Sequence, residues 1–147
     1  MMKHALLLLL ILLSCASCSK APGAPDIREL VAESHRLEFG FPGSTVTITD
    51  RDEIQELARL VEGDSHGVLI GRSQHFWGSF LVTSYDEHGV NLGSFGISRG
   101  DYEIETNDGV YDITTKDYRF WDYLARMYIK EYPEVAERAG IWAPPEE

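Results

Sequence analysis

The feature that most constrains the fold is a run of period-two segments joined by short turns. Residues 76–85, 90–97, 102–106 and 110–114 are rich in β-branched and aromatic residues, and they are separated by Asp86-Glu87-His88-Gly89, Ser98-Arg99-Gly100-Asp101 and Asn107-Asp108-Gly109. Turns this short reverse the chain and join only antiparallel neighbours, so the four segments form a meander. In the first strand Phe76, Phe80 and Val82 share one parity and Trp77, Leu81 and Tyr85 the other. Both faces therefore carry apolar bulk, and the second face must meet a helix, a partner or water. In the second strand Val90 and Leu92 are out of phase with Phe95 and Ile97; a bulge at Gly93-Ser94 would bring all four to one face.

Upstream, Thr45-Val46-Thr47-Ile48-Thr49 alternates apolar with hydroxyl residues, a strand whose buried face is Val46 and Ile48. Asp50 then stands as an N-cap with Glu53 three residues on, and Ile54, Leu57, Ala58 and Val61 share a helical face that Gly63 closes. Residues 26–39 fit two patterns: Ile27, Leu30 and Val31 make a helical face, whereas Leu37 and Phe39 alternate with charges as in a strand. Either ends at a turn over Gly40-Phe41-Pro42-Gly43. Residues 64–74 are polar around Val68-Leu69-Ile70 and read as a loop.

After the meander the period returns to that of a helix over residues 116–131. Phe120, Leu124 and Met127 form one stripe, with Trp121, Ala125 and Tyr128 beside it, an apolar face wide enough to lie across a sheet. Pro133 can open a further helix that Gly140 ends, and Ile141-Trp142 can fold back as a terminal latch. The expected class is α+β: an antiparallel sheet, made from a strand–helix unit and a four-stranded meander, packed on one face by two or three helices.

The N-terminus carries an address. Lys3 and His4 precede nine uninterrupted apolar residues, 5–13, and Ser14-Cys15-Ala16-Ser17-Cys18 follows. A cationic end before an apolar stretch too short to span a bilayer is a secretory signal. Leu12-Leu13-Ser14-Cys15 resembles the lipobox of bacterial lipoproteins, which implies that Cys15 carries the acyl chains; Cys15-Ala16-Ser17-Cys18 makes Cys18 the alternative. A thioether-linked diacylglycerol plus an amide-linked acyl chain, palmitate-type tails, supply the multiple tails that stable anchoring requires. Ala16 and Ser19, rather than Asp, follow the candidate cysteines, and by the same resemblance this implies the outer membrane, facing the periplasm. Residues 1–18 are thus leader and acylation site, residues 19–25, with two prolines, a flexible tether, and residues 26–147 a single domain. Both cysteines fall at the leader boundary, so the domain has no disulfide and depends on its core.

Few residues are patterned for catalysis. Asp64 and His66 flank Ser65, and His75 follows nearby, the raw material of an envelope hydrolase. Three neighbours do not make a triad, and the Gly-x-Ser-x-Gly elbow is missing. Gly89, Gly93, Gly96 and Gly100 are dense, but they fall on strands and turns rather than before a helix N-terminus, so hairpins and a bulge account for them better than a phosphate loop. Asp101, Glu103, Glu105, Asp108 and Asp112 lack the glycine-punctuated calcium-loop pattern and read as a solvated sheet face. No cofactor or metal is expected. Trp77, Tyr85, Tyr102 and Tyr111 are the candidates for ligand or protein contact, because such side chains combine large area with a polar tip.

Charge narrows the partners. Against 24 Asp and Glu stand 13 Lys and Arg, a net charge of −11, and cleavage of the leader would remove Lys3 as well. With no basic cluster the chain is not equipped for nucleic acid. Its field favours cationic proteins. The order of elements resembles small exported α+β domains of uncharacterised lipoproteins and, more loosely, periplasmic inhibitor proteins, a resemblance that assigns no residue. The expected function is a non-catalytic, lipid-anchored binding or inhibitor module for another envelope or cationic protein. The alternative is the hydrolase built on Asp64, His66 and His75.

Overall fold

The structure, a computed structural model, describes residues 26–61, 66–70, 79–106, 109–114 and 118–144. Residues 26–41 contain both of the patterns legible in their sequence. Asp26 caps helix α1, Ile27–Glu33, by accepting from the Glu29 backbone N–H, and Ile27 and Val31 are its buried side. Ser34 then turns extended, and the chain runs into strand β1, Arg36–Phe41. A buried hydrogen bond of 2.8 Å between the Ser34 and Ser84 hydroxyls ties this joint to the strand beside it.

Strand β2, Ser44–Ile48, folds back on β1 with Phe39 opposite Val46 and Gly40 opposite Thr45. The turn is confined to Pro42-Gly43; Gly40 and Phe41, expected in it, belong to the strand. Gly40 has φ 139°, and a Cβ there would lie 2.3 Å from the Ser44 carbonyl oxygen and 3.0 Å from the Tyr128 ring. Only glycine fits. Helix α2, Arg51–Leu60, begins as its sequence indicates: the Asp50 carboxylate accepts from the N–H groups of Asp52 and Glu53. Ile54, Leu57 and Ala58 are buried, and so is Val61 at its C-cap. It packs on α1, where Arg28 Nε donates to the Val61 carbonyl at 2.9 Å and Gln55 Nε2 to the Ala32 carbonyl at 2.8 Å.

The stretch read as a loop is corrected at its centre: His66–Ile70 form strand β3, paired antiparallel with Gly109–Thr114, the last described strand along the chain, β7. The chain therefore passes from one sheet edge at β2 to the opposite edge at β3. The meander follows as expected, β4 over Phe80–Tyr85, β5 over Asn91–Ser98, β6 over Asp101–Thr106, then β7. β4 inserts beside β1, completing a seven-stranded antiparallel sheet of order β2-β1-β4-β5-β6-β7-β3. Asp86 organises the first hairpin, its Oδ1 accepting from His88 N and Val90 N at 2.8 Å each. Backbone hydrogen bonds of that kind hold the carboxyl below its ordinary range despite some desolvation.

The register of β4 and β5 shifts between Ser84, opposite Gly93, and Tyr85, opposite Asn91. The extra residue is Leu92, so the bulge falls earlier than Gly93-Ser94 and does not unite the four apolar residues. Phe95 and Ile97 are buried, whereas Val90 is 58% and Leu92 40% exposed.

Helix α3, Arg119–Glu131, lies against the sheet with Phe120, Trp121, Leu124, Ala125 and Tyr128 buried. Trp121 stacks on Phe80 at 4.8 Å, Phe120 on Tyr102 at 6.3 Å, and Tyr128 leans on Phe80 at 4.9 Å. The Tyr128 hydroxyl shares a 2.6 Å hydrogen bond with Ser44 Oγ, which locks α3 to the hairpin of β1 and β2. Helix α4, Pro133–Ala139, starts on its proline and ends on Gly140 at φ 69°. Ile141 is buried beyond it, as a latch requires, while Trp142 is 59% exposed and faces Arg99, whose guanidinium lies 5.4 Å from its ring.

All four helices contribute to one apolar cluster, together with Leu37 and Phe39 of β1, Phe80 and Val82 of β4, Phe95 and Ile97 of β5, Tyr102 and Ile104 of β6, and Tyr111 and Ile113 of β7. Side chains alternate across a strand, so these residues define one covered face, and the residues between them define the other.

Candidate binding groove on the second sheet face

On the second face the register sets residues in a row that crosses the strands. Thr45 lies opposite Gly40, Gly40 opposite Leu81, Leu81 opposite Gly96, Gly96 opposite Glu103, and Glu103 opposite Asp112. Two glycines in such a row leave a trough, and Leu81 stands between them, 59% exposed. The trough is a groove of about 310 Å³, its lining including Gly40, Phe41, Pro42, Leu81, Gly96 and Glu103, with Glu105 beside them.

Among the described strand residues the charges of this face are one-sided. The acids of the described strands, Glu38, Asp101, Glu103, Glu105 and Asp112, all have its parity. Arg36 is the single Lys or Arg among the described strand residues. It is engaged already: its Nε is 3.3 Å from Glu38 Oε1, and its guanidinium lies 4.1 Å above the Tyr85 ring. The Asp112 carboxyl is pushed above its ordinary range, first by partial burial and then by the negative charges of Asp101 and Glu103. One of its oxygens, Oδ1, is buried without a hydrogen-bond partner. A face that sets Asp101 and Glu103 beside Asp112 is complementary to cations.

The residues expected to make contacts separate into three groups. Tyr102 and Tyr111 are core residues, 4% and 3% exposed, and are not available to a partner. Tyr85 has the parity of the groove face, under the Arg36 guanidinium. Trp77, and with it the opening of the predicted first strand, lies outside the described residues. So do Cys15, Cys18, Asp64 and His75, while His66 is placed only as the first backbone position of β3. Among the described residues no three His, Cys, Asp or Glu side chains are grouped to hold a metal ion, and no helix is long and apolar enough to cross a membrane.

Two parts of the groove are legible in the sequence: the parity of Leu81 sets it on the second face, and the alternation of Glu103 and Glu105 with Tyr102 and Ile104 sets the acids on a solvated face. Gly96 is neither the turn nor the bulge residue that its sequence suggests. Gly89 and Gly100 are turn residues with φ of 77° and 94°, and Gly93 makes room for Leu30, which a Cβ would approach to 3.2 Å. Gly96 has neither a positive φ nor a crowded Cβ direction. Comparison with protein-family models, curated proteins and solved structures finds no match to this chain.

Proposed function

We propose that the protein is a lipid-anchored component of the bacterial cell envelope whose domain acts without catalysis, by binding a cationic envelope protein through the groove face. The observation that carries this reading is the contrast between the two faces of one sheet. Four helices fill the first, while the second presents an exposed leucine in a groove flanked by carboxylates. Burying carboxylates on folding costs free energy, so evenly acidic strands belong on a surface, and an apolar groove within that surface gives a partner something to cover. Inhibition of a cationic enzyme that attacks the envelope is one form such binding would take.

Anchoring rests on the Lys3 to Cys18 pattern and on the acyl chemistry of Cys15, with Cys18 as the alternative. The outer membrane, facing the periplasm, is the proposed site. Fatty-acid labelling of the intact chain tests the anchor: Cys15→Ser removes the label and Cys18→Ser leaves it. Loss in Cys18→Ser alone transfers the site to Cys18, and an unlabelled parent chain contradicts lipidation. Crosslinking in intact cells tests the binding role. The expected product is a covalent complex with a basic protein whose yield falls with ionic strength; retrieval of no protein contradicts it.

A further inference from the structure

Gly96 is the residue that the fold leaves unexplained. A Cβ built on it would meet only the Glu103 carbonyl oxygen at 3.7 Å and the Glu103 Cβ at 3.8 Å, ordinary contact distances, and its φ is one that any residue adopts. Gly40, by contrast, is required by backbone conformation and by the Ser44 carbonyl. Glycine inside a strand weakens it, since it has no side chain to pack and more freedom to lose. What its presence achieves is an open trough between Leu81 and Glu103.

The shape and chemistry of the trough restrict what fills it. From Gly40 to Glu103 it crosses four strands, about 14 Å at the usual strand spacing, the length of about four extended residues. Leu81 offers an apolar contact within it, Glu103 and Glu105 lie at one end, and Arg36 is engaged by Glu38 and Tyr85. Building on the binding role above, we propose that the groove receives an extended basic segment of another protein, an aliphatic side chain resting on Leu81 and lysine or arginine side chains meeting Glu103 and Glu105. A second copy of this chain would bring a like-charged face to the same surface. A small polyamine would match the carboxylates but leave Leu81 uncovered.

The test uses the purified full chain and a fluorescein-labelled nonapeptide of alternating Arg and Val. Its Glu-for-Arg counterpart and spermine serve as comparisons, with binding read by fluorescence anisotropy. The Arg peptide should bind, weaken about tenfold in Glu103→Gln/Glu105→Gln, and be lost in Gly96→Val, whose melting temperature is at least that of the parent. Leu81→Ser, at an exposed position, should weaken it as well and keeps the test decisive if Gly96→Val does not fold. Equal binding of the Glu peptide, competition by spermine at the peptide's own concentration, binding that survives Leu81→Ser together with a folded Gly96→Val, or no binding of the Arg peptide would overturn the proposal. If the proposal fails while crosslinking in cells still captures a basic protein, the binding role stands and its surface lies elsewhere. If crosslinking captures nothing, the role itself falls.

Discussion

Asp112 and Tyr123 show how single residues tie this fold to pH. The Asp112 carboxyl is held above its ordinary value of 3.8 by burial and by Asp101 and Glu103. A carboxyl with a raised folded pKa contributes its stability at low pH, where it is protonated in both states, and loses that contribution as pH rises through the folded value. Asp112→Asn should therefore raise the urea midpoint at pH 7 and leave it unchanged at pH 3; a lower midpoint at pH 7 would contradict the cost of burial and repulsion described. Tyr123 donates to Glu53 Oε1 at 2.8 Å, and burial, followed by that hydrogen bond and charge, pushes its hydroxyl up to about 12. Its contribution is complete below the unfolded value of 10 and lost as the pH rises to the folded one. Tyr123→Phe should cost about 1 kcal/mol at neutral pH and flatten the fall in stability between pH 10 and 12, measured by denaturant titration.

At the scale of elements, those with local signals were legible and those made by distant pairing were not. The start of α2 is written in Asp50 and the two N–H groups it accepts from; Asp50→Ala should destabilise the domain by about 1 kcal/mol in chemical denaturation. The meander is written in its turns. β3 escaped because Val68-Leu69-Ile70 is too short a run to show a period, and its partner, β7, lies beyond three intervening strands. Val90 and Leu92 miss the core because the strand begins only at Asn91, leaving Val90 in the hairpin turn, and Leu92 is itself the unpaired bulge residue. For Tyr102 and Tyr111 aromatic identity does not distinguish a core position from a surface one, whereas their strand parity, shared with Ile104 and Ile113, sets them in the core. The hairpin of β1 and β2 depends on Gly40. Gly40→Ala should cost about 3 kcal/mol or prevent folding, whereas Gly96→Ala, in the same cross-strand row, should leave the melting temperature unchanged or raise it.

At the scale of the molecule, the groove was only half legible. Its carboxylates and Leu81 each followed from alternation along one strand, but the row that brings Gly40, Leu81, Gly96 and Glu103 together exists only once four strands are in register. Among the described residues the domain is two-sided, one sheet face closed by helices and the other open and acidic, on a chain we propose to be tethered to a membrane by residues 19–25. The most direct measurement of this account places a photo-crosslinking amino acid at Leu81 and, in a separate chain, at Glu131 on α3, an exposed position on the helical side. Irradiation in the cells that make the protein should join Leu81 to a basic protein, with loss of the adduct in a Gly96→Val background, and should give no such adduct from Glu131. The same adduct from Glu131, with none from Leu81, would place the contact on the helical side and contradict the account.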